Sequence, residues 1–192
     1  DMKDAPILSG IFTEKGLKRL DIFMMELGFM TKYKVSIKVP KTPPQGVPKR
    51  DIYLVRAYEY PEDWEELEWA EISEKLMMVR LELRKMGEAE NDMIVFSFWP
   101  DVIMIKELGD PLTVARHLGF DRKELNARII MAQGRQNTNY AINLYACHPF
   151  FLEGFSTMTN GENTAFIPIK EFLMSRGFPG YKGFQSDSEV FT

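Results

Sequence analysis

Chemistry in this chain can be sought in three short segments that set polar side chains beside glycine or at the end of an expected strand. They are Gly134-Arg135-Gln136-Asn137-Thr138-Asn139, Thr159-Asn160-Gly161-Glu162 and Gln185-Ser186-Asp187-Ser188-Glu189. Each taken singly has an ordinary structural reading. Asn-Gly makes tight turns because both residues tolerate positive φ. Ser186 to Glu189 has the form of a helix cap with acids in the first turn, and Arg135 can be a surface cation. The single cysteine, Cys147, leaves no internal disulfide and no cysteine-rich zinc site within these residues. Cys147 and His148 do not read as a papain-like dyad, because neighbouring side chains on a strand point to opposite faces. A buried or packing thiol is the reading carried forward. Glu62, Glu65, Glu66, Glu68, Glu71 and Glu74 form a solvated flank, with no converging second group to make a metal site.

The 192 residues suffice for one well-packed domain of roughly 150 residues and little more. Apolar residues at 45% and charged residues at 27% exclude a disordered or collagen-like chain. With 24 Lys and Arg against 28 Asp and Glu, and no basic block, there is no electrostatic case for nucleic acid. No apolar run approaches the ~20 residues of a membrane span, and the start lacks the pattern of a signal peptide. A cytoplasmic protein without a membrane partner is expected.

The elements that must position the polar segments follow from periodicity. Glu14 to Phe29 predicts an amphipathic helix with Leu17, Leu20, Phe23, Met24 and Leu27 on one face, ending near Gly28. Tyr33 to Val39 alternates like a strand, and the four prolines of Pro40 to Arg50 predict a loop. Asp51 to Tyr60 predicts a strand. A helix follows from Pro61 to about Met86, with Trp64, Leu67, Ile72, Leu76, Val79 and Leu83 towards the core. Met93 to Trp99 and Val102 to Leu108 read as a hairpin about Pro100-Asp101. Short helices are expected at Leu112 to Leu118 and Arg122 to Asn126, strands at Arg128 to Gln133 and Phe155 to Thr159, and a helix from about Thr164 to Arg176. The whole predicts a mixed α and β domain.

The run GRQNTN, CHPF, TNGE, RGF and SDSEV resembles, in that order, the class II glutamine amidotransferases. Those domains carry a Gly-Arg-x-x-Thr stretch, a His-Pro, an Asn-Gly-Glu and a Ser/Thr-Asp-Thr-Glu-Val. The wording is closest to the amidotransferase portion of glutamate synthases and their stand-alone relatives, and it covers Arg128 to Thr192. Residues 1–192 are taken as one such domain, with 91–192 bearing the motifs and 1–90 a possible family-specific insertion.

The resemblance implies a four-layer αββα sandwich of the N-terminal-nucleophile hydrolase type. A cysteine at the start of the mature chain there attacks the glutamine side-chain amide, and its own α-amino group serves as base. The implied roles fall on Arg135 for the substrate carboxylate, Asp187 for its amino group, and Thr138 beside the substrate. Asn160, through its side-chain amide, and Gly161, through its N–H, fall at the oxyanion hole. His148 falls at the His-Pro position, in a structural or substrate-contacting role. Neither metal nor cofactor is implied. The partners are glutamine and a synthase domain or subunit that accepts the ammonia. The chain departs from the pattern in beginning Asp1-Met2-Lys3 and in carrying Asn139 where several relatives have histidine. The expectation is an interior piece of a longer polypeptide or a split or degenerate relative, in which another chain or segment supplies the cysteine; this chain alone would not hydrolyse glutamine. The alternatives are a non-catalytic scaffold or regulatory subunit that binds glutamine or glutamate, and a plain interaction domain.

Overall fold

The computed structural model describes residues 4–37, 40, 42–121, 127–134, 144–184 and 186–191. Its chain order opens β1 (Pro6–Phe12), α1 (Glu14–Glu26), β2 (Met30–Ser36), β3 (Ile52–Glu59), α2 (Trp69–Glu90) and β4 (Met93–Pro100). The four strands form one antiparallel sheet in the order β2-β3-β1-β4. With a helix after β1 and another after β3, this is the split βαβ arrangement of a ferredoxin-like plait. The fold is therefore mixed α and β, as expected.

β1 lies at the centre of the sheet and all seven of its residues are buried. Covered on both faces, it has no wet side to impose alternation, which is why periodicity alone does not reveal it. β2 is at the edge and its apolar alternation stays wet, with Tyr33 and Val35 exposed. The predicted helix α1 starts where the Thr13 hydroxyl accepts the Gly16 N–H at 3.0 Å, and it yields to a turn at Gly28. A Cβ on Gly16 would lie 2.2 Å from the Asp92 carbonyl, so only glycine lets α1 approach the α2–β4 corner this closely. The single helix expected from Pro61 divides into a 3₁₀ turn at Glu62–Trp64 and α2. The capping box between Glu68 and Glu71 restarts the helix there, and left-handed Asn91 ends it one turn later than expected.

One face of the sheet meets α1 and α2 through Leu8, Phe12, Leu54, Tyr58, Val95 and Phe98, against Leu20, Met24, Leu76 and Leu83. Phe29 stands edge-on to Tyr58, Trp64 and Phe98 at 5.2–6.0 Å, contacts worth about 0.5–1.5 kcal/mol each beyond their burial. The other face is set by a bulge. Ser9 pairs with Ser97 but Gly10 with Val95, so Phe96 is the extra residue and turns to the opposite side.

Residues 102–108, expected as the second hairpin strand, instead cross this opposite face as an irregular strap. The Met104 N–H donates to Ser9 Oγ at 3.1 Å, and Ser9 Oγ lies 2.6 Å from Ser97 Oγ. Further along, the Glu107 carboxylate takes two hydrogen bonds from Arg50 at 2.9 and 3.0 Å and a third from Tyr53 Oη. Met104 of the apolar run that suggested a strand is thus buried, and Val102, Ile105 and Leu108 partly so, by lying across the sheet with no ladder.

The remaining elements are α3 (Pro111–Leu118), β5 (Phe150–Leu152), β6 (Phe155–Thr157) and α4 (Phe166–Arg176), with 3₁₀ turns at Leu144–Ala146 and Glu189–Phe191. β5 and β6 form a two-stranded sheet, and Phe151 with Leu144 joins Ile11, Tyr53, Phe96 and Met104 on the open face of the plait. The strand expected at Arg128 to Gln133 is absent: this stretch is irregular, and Ile129 and Ile130 are 73% and 69% exposed. The short helix expected at Arg122 to Asn126 lies outside the described residues. No described helix is long and apolar enough to cross a membrane.

Candidate functional site

The three motif segments are separated by long stretches of sequence, yet hydrogen bonds join two of them to the Cys147-His148 turn. β5 follows His148-Pro149 directly, and the hairpin to β6 returns the chain to Thr159. There His148 Nε2 lies 3.2 Å from Thr159 Oγ1, which in turn shares a short hydrogen bond with Ser188 Oγ. Ser188 also donates to Asp187 Oδ1 at 3.3 Å. The other oxygen of Asp187 accepts the Asn163 N–H at 2.8 Å, which ties the Asn-Gly loop to the Ser-Asp-Ser-Glu segment a second time.

Local structure explains how each piece is held. The Glu189 carboxylate, buried beside Ser188, accepts the backbone N–H groups of Lys182 and Phe184 at 3.1 and 2.8 Å. Those bonds close the loop after α4 around its own end, and so fix the position of Asp187 and Ser188. Asn160 and Gly161 directly follow Thr159 and are exposed. Gly161 has φ 146°, and a Cβ there would meet nothing within 4 Å. Its glycine is required by backbone conformation and not by space.

The arrangement has defined chemical capacity. A carboxylate offers about four acceptor positions; Asp187 spends one on Asn163 and one on Ser188, and its half-buried setting leaves the others for a cationic group. The neighbouring Asn160 amide is an exposed donor. Two further polar atoms close to Asp187 in sequence or through its hydrogen bonds, Asn163 Nδ2 and Ser186 Oγ, are buried without a partner among the described residues.

Of the sequence-predicted residues, His148 and Asp187 therefore belong to one chain of hydrogen bonds, and Asn160 and Gly161 follow its Thr159 in sequence. Arg135 and Thr138 lie outside the described residues. Gln133, two positions before Arg135, donates to the Thr159 carbonyl at 2.9 Å, so the chain leading into the Gly-Arg segment reaches this neighbourhood. Cys147 is half-buried and packs with the second core cluster, and its carbonyl accepts the Lys106 ammonium at 2.8 Å. Sequence reasoning missed Thr159, Asn163 and Ser188 as linking residues; their signal was short hydroxyl and amide side chains inside two motif segments or, for Asn163, directly after one. No cluster of metal-ligating side chains occurs among the described residues. The shallow hollow at the start of α1 gathers no chemistry, since Lys15 and Arg19 there are paired with Glu90 and Asp92.

No family model, curated protein or solved structure matches this chain.

Proposed function

We propose that this chain carries the glutamine-binding part of a cytoplasmic class II glutamine amidotransferase, of the kind that releases ammonia for a glutamate-synthase-like domain or subunit. The observation that carries the reading is the linkage of His148, Thr159 and Ser188-Asp187, with Asn160-Gly161 continuing from Thr159. In this reading Asp187 holds the amino group of glutamine and Arg135 its carboxylate, with Thr138 alongside. The Asn160 amide and the Gly161 N–H face the oxyanion that forms when the side-chain amide is attacked, an interaction worth about 3 kcal/mol of barrier per donor. The nucleophile and its α-amino base come from a cysteine that begins another segment or chain.

The finer fold proposed is the four-layer sandwich. Its support is the order of layers: helices α1 and α2, the four-stranded sheet, then the hairpin of β5 and β6 against the open face through Phe151. The apolar residues left uncovered on α4, among them Ile167 and Phe172, are those a further layer would cover.

Titration calorimetry with glutamine tests the reading. Binding is expected, weakened tenfold or more by Asp187→Asn, since one charge-assisted hydrogen bond is worth about 1.5–3 kcal/mol. Absence of heat, or equal affinity in the variant, would overturn it. A second reading, a scaffold or regulatory subunit that binds glutamine or glutamate without cleaving it, draws on the packing of Cys147 into the second core. Glutamate production after addition of a segment beginning Cys-Gly would decide against that alternative.

A further inference from the structure

Behind the Ser-Asp-Ser-Glu segment, between α2, the strap and β5, lies a cavity of about 40 Å³, where a single water needs about 10–15 Å³. Its walls bring together Arg80, Arg84, Lys106, Tyr181 and Glu189. Arg80 and Arg84 sit on the buried side of α2, 9% and 5% exposed, in phase with Leu76 and Leu83. Arg80 gives one hydrogen bond to the Phe96 carbonyl at 3.3 Å, and Arg84 is paired with Glu88 at 2.9 Å. Among the described residues neither Arg80 nor Lys106 forms an ion pair.

Donors remain open in this space. Arg80 Nε, Arg84 Nη2 and Tyr181 Oη are all buried without a hydrogen-bond partner among the described residues. Lys106 spends one of its three N–H bonds on the Cys147 carbonyl. The one carboxylate in the lining, Glu189, is already engaged by two backbone N–H groups. Buried cations and donors left in this state carry a desolvation cost that an anion would offset. The titration behaviour agrees. Burial, and then the Arg84 charge, push Arg80 down to about 10. Burial pushes the Lys106 ammonium down to about 7, aided by Arg80 and Arg84 and opposed by Cys147.

We propose that this cavity is a binding site for a small oxyanion, a carboxylate or a phosphate, held by Arg80 Nε, Arg84 Nη2, Lys106 Nζ and Tyr181 Oη. Arg80 Nε and Arg84 Nη2 each have an N–H to offer an anion oxygen, and the ammonium supplies a point charge. Glu189 connects the cavity to the segment that carries Asp187, but none of the four donors belongs to the glutamine reading, so the site stands or falls without it.

The test uses the full chain at constant ionic strength and slightly acidic pH, with inorganic phosphate and acetate as separate probes and chloride as the control. Calorimetry and thermal unfolding should show saturable binding and a rise in Tm with phosphate, acetate or both, and none with chloride. The responding ion identifies the source chemistry. Lys106→Met and Arg80→Met should each weaken binding at least tenfold, while Asp187→Asn leaves it unchanged. Lys106→Met removes a buried charge, so its own stability is expected to hold, and it keeps the test readable should Arg80→Met fail to fold. Equal stabilisation by chloride, no response to either oxyanion, or undiminished binding in Lys106→Met would overturn the proposal.

Discussion

From Pro6 to Leu118 almost every element buries a face, whereas α4, eleven residues long, buries none. The first region is built on a sheet covered from both sides, with a core of interlocking aromatic and aliphatic side chains. The second, residues 144–191, has few buried apolar anchors: Leu144, Phe150 and Phe151. Its remaining order comes from polar bonds such as those of Glu189, Asp187 and Ser188. The difference separates two tasks. Apolar area drives folding and is nearly indifferent to direction, whereas the motif-bearing region is held by directional bonds that orient polar groups. The stability of the whole should therefore reside in the first region, and variants at three positions along the chain can break that division.

The largest effect is expected at Phe98, fully buried at the contact of sheet and helices and edge-on to Phe29 and Tyr58. Phe98→Ala should cost about 3–5 kcal/mol. Chemical denaturation followed by far-UV dichroism should show both regions lost together, because Phe151 and Leu144 pack into the cluster built on the open face of the plait. Retention of the β5–β6 hairpin after the plait has melted would contradict the division.

The plait's helices were legible for a physical reason: α1 and α2 repeat apolar residues at helical spacing, and the predicted core faces of Leu20, Met24, Leu76, Val79 and Leu83 are the buried ones. β1 was not, because a strand buried on both sides carries no period. The strap was misread because Val102, Met104, Ile105 and Leu108 have strand composition but satisfy burial by crossing the sheet. Arg80 and Arg84 have no place in the sequence reading, although their spacing of four in phase with Leu76 marks the buried side. In the candidate site, Asn160, Gly161 and Asp187 were visible as motif members. The hydroxyl bridge through Thr159 and Ser188 was not, since it depends on two loops meeting.

The middle effect concerns the strap within the first region, on which the second region packs. Burial would raise the Glu107 carboxyl, but the Arg50 pair, the Tyr53 hydroxyl and the Leu108 N–H outweigh it and hold the group below its ordinary 4.5. A depressed carboxyl stabilises the fold fully above its unfolded value, and that contribution is lost as pH falls through the lowered one. Glu107→Gln, which keeps the shape but loses the charge of the Arg50 clamp, should cost about 2 kcal/mol at neutral pH. The gap between parent and variant should close as the medium is acidified below 4.5. A pH-independent gap in urea denaturation would mean that shape and not charge holds the strap to β3.

The smallest effect is expected on α4. Phe172 is 53% exposed, touching Phe178 at 6.4 Å between ring centroids, with the Arg176 guanidinium over its ring at 5.4 Å. Pairs this open to solvent contribute little, so Phe172→Ser should shift stability by no more than about 0.5 kcal/mol. The measurement is informative because of its size. The proposed sandwich would place a further layer over this face, and the same variant made with that layer present should then cost about 3 kcal/mol, as deletion of a buried aromatic does. A loss above about 1 kcal/mol in this chain by itself, against the 0.5 kcal/mol usual for exposed positions, would show that α4 is already covered and that the two regions are more alike than their burial suggests.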